Sequence, residues 1–401
     1  MSKTVRIVLY MLSIITVAGV VAAFVLAGKN QTVMEPVEVS TEETVESAGE
    51  KDVEASEGNQ TGEASTGIPT GETVTEPSTE ELLAGESEPA EDGTTTILFA
   101  GDVLFANAFK AGYDANGIEG VVDPKLLALL QDADIFMVNN EFPFSDRGTP
   151  MEDKQFTFCC PPSYIKALNE MGVDVVSLAN NHTLDYGKEA LSDTFATLDG
   201  AGILYGGAGE TLERAEELQV IDVNGKKFGF LAVSRVIPET SWKVENSVPG
   251  IFSCYDDTRL VELVTEAKAE CDFVAVYPHW GVEYDAYPQN YQNTIARKCV
   301  EAGADVVVGS HTHCLQGAEF IDGKPVFYSL GNFIFGRSID RSAIVRVSIA
   351  GTGEASYELL PVYAENGVTR LATGEQAEQI LRYLDEISTG ASVSSNGIVT
   401  Q

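Results

Sequence analysis

The sequence predicts an α/β fold from Thr94 onward, with sheets covered by helices. Short apolar runs alternate with helical segments, as where "DIFMVNNE" is followed by "PPSYIKALNEMG", a helix opened by proline. Further on, "LQVIDVNGKKFGFLAVS" places an Asn-Gly turn between two apolar runs, which is a strong signal for a β-hairpin. Strand–helix units that give way to hairpins are typical of sheets with helices on their faces.

Each predicted element has a local reason. The strands are β-rich apolar runs, namely "TTILFAGDV", "DIFMVNNE", "VDVVSLAN", "CDFVAVYPHW" and "ADVVVGSH". Helices are predicted over 124–133, 256–270, 290–302 and 374–388, and over "GKEALSDTFATLDGAG", which a glycine ends. No break typical of a linker interrupts residues 94–373, which we therefore treat as one domain. Residues 374–401 form a closing helix and a tail, "TGASVSSNGIVTQ", that is expected to fray.

Residues 1–29 are predicted to be a transmembrane anchor. Ile7–Ala27 is an uncharged run of 21 residues, long enough as a helix to cross a hydrocarbon core of about 30 Å. A secretory signal has a shorter apolar region, so an uncleaved anchor is favoured, although Val25-Leu26-Ala27 offers a cleavage site. Lys3 and Arg6 precede the run and favour a cytoplasmic N-terminus. The expected location is therefore the cell membrane, with a single pass and an extracellular C-terminal domain.

Residues 30–93 are predicted to be a disordered acidic linker. They contain 18 acidic residues, one basic residue and no aromatic residue. Such a composition cannot bury enough apolar surface to offset the entropy of ordering. From Thr94 onward the chain still has 43 acidic and 21 basic residues, a net charge of −22, which argues against nucleic acid as a partner. An anionic substrate would need local positive charge, which a bound metal can supply.

Polar residues of the types that bind metals follow the predicted strands, and they include all four histidines of the chain. In open α/β sheets, ligands bind beyond the carboxyl ends of the strands. A lone histidine there is more often structural, but the convergence of all four favours a metal site of nitrogen and oxygen ligands for Mn, Fe, Zn or Mg. Residues two apart in an extended segment face the same side, so two of the histidines can reach one cluster. The residues concerned are Asp102, Glu141, Asn181, His182, His279, His311 and His313.

Six sequence blocks resemble a known family. In order and spacing, "FAGDVLF", "NNE", "LANNHTLDYG", "YPHWGVEY", "GSHTHCLQG" and "KPVFYSLGNFIFG" are similar to the CapA-type poly-γ-glutamate capsule synthesis proteins, of the calcineurin-like metallophosphoesterase superfamily. The resemblance covers about residues 94–365. It implies a metallophosphoesterase-like α/β sandwich, with two central sheets flanked by helices and two divalent metal ions at one rim.

The resemblance also implies roles for single residues. Asp102, a bridging Glu141 and His313 would hold one metal, and Glu141 with Asn181, His279 and His311 would hold the second. His182 would be the acid toward a leaving group, and Asn140 and Asn332 would contact substrate or support the ligands. The sequence departs from the superfamily pattern because Leu104 stands where a histidine is usual and Glu141 where an aspartate is usual.

Two hypotheses of function follow. In the first, the domain is a metal-dependent hydrolase or transferase that acts on a phosphoester or a γ-glutamyl amide. In the second, it is a non-catalytic scaffold or polymer-binding component of a capsule synthesis and export assembly. The expected partners are the membrane, through the single N-terminal helix, and poly-γ-glutamate with other capsule synthesis or export proteins.

Overall fold

The computed structural model describes residues 93–336 and 338–401. Within these ranges no helix has both the length and the apolar character needed to cross a membrane. The predicted anchor lies outside the described residues, as does the predicted linker apart from Gly93. The strands are β1 Thr95–Val103, β2 Ile135–Asn140, β3 Val175–Ser177, β4 Leu204–Gly206, β5 Ala208–Gly209, β6 Gln219–Val223, β7 Lys226–Ser234, β8 Gly250–Ile251, β9 Phe273–His279, β10 Val306–Val308, β11 Leu315–Ile321, β12 Lys324–Leu330, β13 Asn332–Ile334, β14 Ile339–Ile349, β15 Ala355–Glu365, β16 Val368–Leu371, β17 Ser392–Val393 and β18 Val399–Thr400.

The helices connect these strands and close the domain. Of the six predicted helices, residues 290–302 have the predicted bounds and the other five agree to within a few residues, whereas Asn107–Asn116 and the short Leu212–Ala215 were not predicted. Helix ends depend on capping contacts, such as the backbone N–H of Gln289, which donates to Oε1 of Gln292 at 2.8 Å. The α-helices are α1 Asn107–Asn116, α2 Pro124–Gln131, α3 Ile165–Glu170, α4 Gly187–Ala201, α5 Leu212–Ala215, α6 Thr258–Glu270, α7 Asn290–Ala302 and α8 Gly374–Ile387.

Two mixed sheets dominate the described part of the chain. The first has eight strands: seven in the order β16-β15-β14-β1-β2-β3-β4, with β13 added beside β1. The second has six strands in the order β11-β12-β10-β9-β7-β6. In both, the central strands run parallel, as β1–β4 and β7, β9, β10 and β12 do, while hairpin strands lie at the edges. Parallel central strands place all their carboxyl ends along one rim of each sheet.

The two sheets pack face to face, and helices cover their outer faces. Between the sheets, Phe99 of β1 and Phe230 of β7 are buried with ring centroids 6.3 Å apart. Outside the first sheet, α2 and α4 bury Leu130 and Leu198 with other apolar side chains. Outside the second sheet, α6 and α7 do the same. Each fully buried side chain of this size contributes about 1.5–3 kcal/mol. The predicted α/β fold, with two central sheets flanked by helices, is therefore confirmed for the described residues.

The local structure differs from the sequence prediction in missed helices and in one wrong expectation. The helix α1, over Asn107–Asn116, was not predicted; it has no side-chain cap at its N-terminus, so its sequence carries no start signal. The tail expected to fray is instead ordered as the hairpin β17–β18. There Val393 and Val399 are buried in the inter-sheet core, and the N–H of Leu359 donates to the carbonyl of Gly397 at 2.8 Å. Contacts with β15, distant in sequence, thus order the tail.

Candidate metal centre

The fold brings all the predicted site residues to one rim. Asp102 lies near the end of β1, Glu141 follows β2 directly, and His279 ends β9. Asn181 and His182 follow β3 after a short turn, and the pair His311 and His313 follows β10. The strand ends come from both sheets, so the residues converge where the two sheets meet.

The two histidines after β10 reach the cluster by a route different from the one expected. They lie in a bend rather than an extended segment, with φ of 97° at His311 and 55° at His313. These left-handed values are uncommon for residues other than glycine and mark a locally strained backbone. The alternation of an extended strand therefore does not explain why both side chains face the cluster. The bend supplies the reason.

Two groups of side chains have the geometry of metal ligands, and Glu141 belongs to both. In one group, the ligand atoms of Glu141, His279 and His311 lie within 4.8 Å of one another. The Nε2 atom of His279 is 2.8 Å from Oδ1 of Asn181 and 3.6 Å from Oε1 of Glu141. In this group every side chain is buried.

The second group consists of Asp102, Glu141 and His313, again with ligand atoms within 4.8 Å of one another. Nδ1 of His313 lies 3.3 Å from Oδ2 of Asp102 and 2.9 Å from Oδ1 of Asn332. The group thus joins the first through a carboxylate that each can share. The side chain that follows Val103, Leu104, is buried and offers no ligand atom.

Unpartnered polar atoms test whether this cluster fits a metal. Both carboxylate oxygens of Glu141 and Nδ1 of His311 are buried without a hydrogen-bond partner among the described residues. Leaving a buried polar group unpaired costs about 1–3 kcal/mol, and more for a charged one. Oxygen and imidazole donors aimed at a common centre, with no thiolate, suit borderline and hard divalent cations. The residues fit a metal.

Burial and mutual charge set the protonation of the cluster. Burial raises the pKa of Glu141 well above its usual range, with the adjacent Asp102 acting in the same direction. Burial lowers the pKa of His279 well below its usual range, and burial with His313 lowers the pKa of His311 to about 4. These two imidazoles are neutral near pH 7, which is the form that binds metals. For His313, burial acts to lower the pKa, but Glu141 and Asp102 outweigh it and raise the pKa to about 10.

His182 is oriented by two further residues. Its Nδ1 lies 2.7 Å from Oδ2 of Asp185, a carboxylate that also accepts the N–H of Phe158 at 2.8 Å. Burial lowers the pKa of His182, while the bond to Asp185 opposes that shift. Lys154 hydrogen-bonds to the other oxygen of Asp185 and to the carbonyl of Asn181, and its Nζ is 3.1 Å from Nδ1 of His182. Lys154 was not predicted, because its loop, "MEDKQF", has no periodic pattern.

Asn139, Asn180 and Ser310 support the candidate ligands and were also not predicted. Nδ2 of Asn139 donates to Oδ1 of Asp102 at 2.8 Å, and Asn180 donates to Oδ1 of Asn139 at 3.0 Å. The hydroxyl of Ser310 lies 3.0 Å from Nδ1 of His279, which leaves Nε2 to face the cluster. The signal for Asn139 and Asn180 was their place beside predicted ligands, in "NNE" and "ANNH".

The two asparagines predicted to contact substrate or support the ligands lie at the cluster. Asn332 follows the second-sheet hairpin, pairs with Asp102 through β13 and contacts His313. Nδ2 of Asn140 donates to the carbonyl of Phe142 at 2.6 Å, while its Oδ1 has no partner among the described residues. Contact with substrate stays a prediction for both.

The first two aromatic residues that follow His279, Trp280 and Tyr284, differ in exposure. Trp280 is fully buried, and its Nε1–H donates to the carbonyl of Tyr328 at 2.8 Å, so it belongs to the core. Tyr284 is 63 % exposed, with its ring centroid 6.1 Å from that of His313. An exposed aromatic ring therefore borders the opening of the cluster.

Comparison with known proteins places the chain among capsule proteins. The PGA biosynthesis protein CapA of Bacillus subtilis is 29 % identical over 294 residues, which cover 70 % of this chain and 76 % of the relative. The capsule biosynthesis protein CapA of Bacillus anthracis is 30 % identical over 296 residues, 71 % of each chain.

Solved structures give weaker likenesses. A 5′-nucleotidase from Candida albicans is 12 % identical, with a TM-score of 0.39, over 66 % of this chain and 51 % of that one. A protein of Thermus thermophilus is 11 % identical, with a TM-score of 0.38, over 66 % of this chain and 99 % of that one.

A match to a protein family identifies the chain. Residues 96–337 match the family described as bacterial capsule synthesis protein PGA_cap, and the chain belongs to that family.

Proposed function

We propose that this chain is a membrane-anchored, extracellular protein of poly-γ-glutamate capsule biosynthesis or export, with a dinuclear metal site of hydrolase type. Family membership and the names of the Bacillus relatives support the capsule role. The apolar run Ile7–Ala27 and the acidic linker after it support the location. The strand-end cluster supports the chemistry.

The observation that carries the metal site is Glu141. Its carboxylate is fully buried between two groups of potential ligands, and neither oxygen has a hydrogen-bond partner among the described residues. An ionised carboxylate placed in this way is strongly destabilising, so Glu141 would be held either by a proton, as its raised pKa shows for the metal-free protein, or by cations. Because Glu141 belongs to both groups, it would help to hold both metal ions.

The other ligands divide between the two positions. His279 through Nε2, His311 and Asn181 would complete one position with Glu141, and Asp102 and His313 would complete the other. When bound, two divalent cations would polarise a substrate oxygen and activate water for attack. Ser310 and Asn139 hold His279 and Asp102 in orientation.

His182 supplies a proton-transfer group beside these ligands. Because Asp185 engages Nδ1, Nε2 is the atom left to exchange a proton with a leaving group. Lys154 fixes the far side of Asp185 and the carbonyl of Asn181, so it ties His182 to a candidate ligand. The substrate would be a phosphoester or a γ-glutamyl amide.

Metal content and turnover test this proposal directly. The purified full-length chain should retain transition metal after dialysis against micromolar metal, as measured by inductively coupled plasma mass spectrometry. His279→Ala should lose it, and His182→Ala should retain it but lose cleavage of phosphoester or γ-glutamyl amide substrates. A wild-type chain that holds no metal under these conditions would remove the dinuclear site.

A second candidate, a non-catalytic component of the capsule assembly, is favoured by the second ligand group. With Leu104 in place of a histidine, Asp102, Glu141 and His313 are its ligands, which is few for a catalytic cation. The two candidates differ in a cell that makes capsule. If His182→Ala and His279→Ala chains restore capsule to a deletion strain as well as wild type does, the non-catalytic role is correct.

A further inference from the structure

We propose that Arg235 and Lys243, arranged around Tyr255, form an anion site beside the candidate metal centre that binds a carboxylate of an extended polycarboxylate chain. The identity of the polymer rests on the proposed function. The evidence for the site is the positions and contacts of these three residues and of Tyr291. None of the four is a candidate metal ligand.

The backbone of Arg235 is hydrogen-bonded to that of His279, a candidate metal ligand. Arg235 follows the last residue of β7, and its backbone N–H donates to the carbonyl of His279 at 2.9 Å. Its guanidinium carbon lies 3.7 Å from the ring centroid of Tyr255 and 5.0 Å from that of Tyr291. The hydroxyl of Tyr291 in turn accepts the N–H of Gly281 at 2.7 Å, in the loop that leaves His279. Two rings thus hold the guanidinium beside that loop.

Lys243 brings a second cation to the same ring. Its Nζ lies 5.3 Å from the centroid of Tyr255, which is 49 % exposed. Among the described residues neither Arg235 nor Lys243 has a carboxylate within 4.0 Å, whereas Arg259 and Lys298 nearby are both paired. In a domain of net charge −22, two cations that share an exposed ring and lack a carboxylate partner are a place where an incoming anion finds positive charge.

The same segment borders the metal cluster on its His182 side. Trp242 precedes Lys243 in sequence, and its ring centroid lies 5.1 Å from Nζ of Lys154, the residue that contacts His182. The chain between Arg235 and Lys243 therefore touches the surroundings of His279 at one end and those of His182 at the other. A polymer with one unit at the metal cluster would bring a neighbouring unit to this segment.

The chemistry of the pair suits a carboxylate. A guanidinium offers two parallel N–H groups that match the two oxygens of a carboxylate, and stacking on tyrosine orders it beforehand. Acidic side chains oppose general electrostatic attraction here, since Glu216 and Asp256 line the hollow that Lys243 borders. Binding would therefore be local, at Arg235 and Lys243, and would select chains with spaced carboxylates over compact, highly charged anions.

Fluorescence anisotropy on the full-length chain tests this site with a fluorescein-labelled γ-glutamate oligomer as probe. Arg235→Ala with Lys243→Ala should weaken binding about tenfold, since each lost charge contact is worth a few-fold in affinity. The control Lys125→Ala with Lys227→Ala removes the same charge from exposed positions, one of them at the far end of β7, and should change affinity less than twofold. Arg235→Lys with Lys243→Arg keeps both charges and should bind more tightly than the alanine pair, but less tightly than wild type because the stacked guanidinium at position 235 is lost. Wild-type metal content in the alanine pair guards against a folding defect.

The outcomes separate this proposal from the proposed function. Unchanged affinity in the Arg235 and Lys243 double variant, or an equal loss in the control pair, would overturn the anion site. A linear polyphosphate of equal length that binds while the γ-glutamate oligomer does not would overturn the polycarboxylate assignment. Metal content should be the same in all these variants. A failure of the proposed metal site would appear in that measurement and in His279→Ala, without altering the probe's dependence on Arg235.

Discussion

The edge where the parallel strands start and the edge where they end differ in whether key carboxylates have hydrogen-bond partners. At the edge where the parallel strands start, four aspartates precede β2, β3, β9 and β10, and each accepts a backbone N–H of the neighbouring strand at 2.8–2.9 Å, the acceptors being Asp134, Asp174, Asp272 and Asp305. At the edge where the strands end, Glu141 accepts no hydrogen bond from the described residues. The first edge uses carboxylates to join strands. The second leaves one available.

Asp305 and Glu141 show the contrast most clearly. Both are buried, at 6 % and 0 % exposure. Asp305 receives Lys324 on Oδ1 at 2.8 Å and Lys268 on Oδ2 at 2.7 Å, besides the N–H of Val274. Since nearly all buried polar groups in folded proteins are paired, a buried acid with no partner indicates a function that supplies one. Burial alone does not distinguish the two roles, but the hydrogen-bond partners do.

The largest expected effect is that of Glu141→Gln. It removes the charge that both ligand groups share while it keeps the shape, so metal affinity should fall at least about 100-fold. The metal-free protein should become more stable, because a buried carboxylate without a partner is removed. Metal analysis and thermal unfolding in chelator measure the two effects. A variant that keeps its metal and unfolds at a lower temperature would show that Glu141 is structural, as Asp305 is.

Lys154→Met tests a carboxylate at the strand-end edge that does have partners. There Asp185 accepts hydrogen bonds from Lys154 and from the N–H of Phe158. The methionine keeps the apolar stem beside Trp242 but releases Asp185 and the carbonyl of Asn181. Turnover should fall about ten- to 100-fold through misplacement of His182, with metal content and KM unchanged. Combined with His182→Ala it should cost nothing further in kcat. An additive loss would place Lys154 in a separate role.

Asp305→Asn should have the opposite profile to Glu141→Gln. It weakens two ion pairs, whose lysines are 37 % and 42 % exposed, and one backbone hydrogen bond. The free energy of unfolding should drop by about 1–3 kcal/mol, while metal affinity stays at the wild-type value. Urea unfolding and metal analysis test both parts. The exposed Asp222→Asn in β6 is the control and should change stability by less than about 0.5 kcal/mol.

The sequence located the ends of the parallel strands because their signal is local. An apolar run followed closely by a polar residue, such as Asp102, Glu141 or His279, predicts both the strand and the position of its C-terminal end. Features set by contacts between distant segments were not predictable in this way. Lys154 contacts His182 from a loop 28 residues away in sequence. The left-handed backbone at His311 and His313 was not predictable because neither residue is a glycine, the residue type that usually indicates this conformation. The ordered tail likewise depends on β15, to which no sequence period connects it.

The smallest expected effect concerns Asp174, which joins β3 to β2 through the N–H of Phe136. Burial raises the pKa of Asp174 above its usual 3.8, and the hydrogen bond from Phe136 only partly opposes this. A raised pKa in the folded state means that the carboxyl favours folding when protonated, and that this contribution is lost as the pH rises through the folded-state pKa. Asp174→Asn keeps an acceptor oxygen without the charge, so it should raise the melting temperature by a few degrees at pH 7 and by nothing below about pH 3. Asp134→Asn is the matched control: it makes the same bond to Thr96 from an exposed position and should give no gain. If the two variants behave alike at both pH values, burial of the charge at the strand-start edge is not what limits stability there.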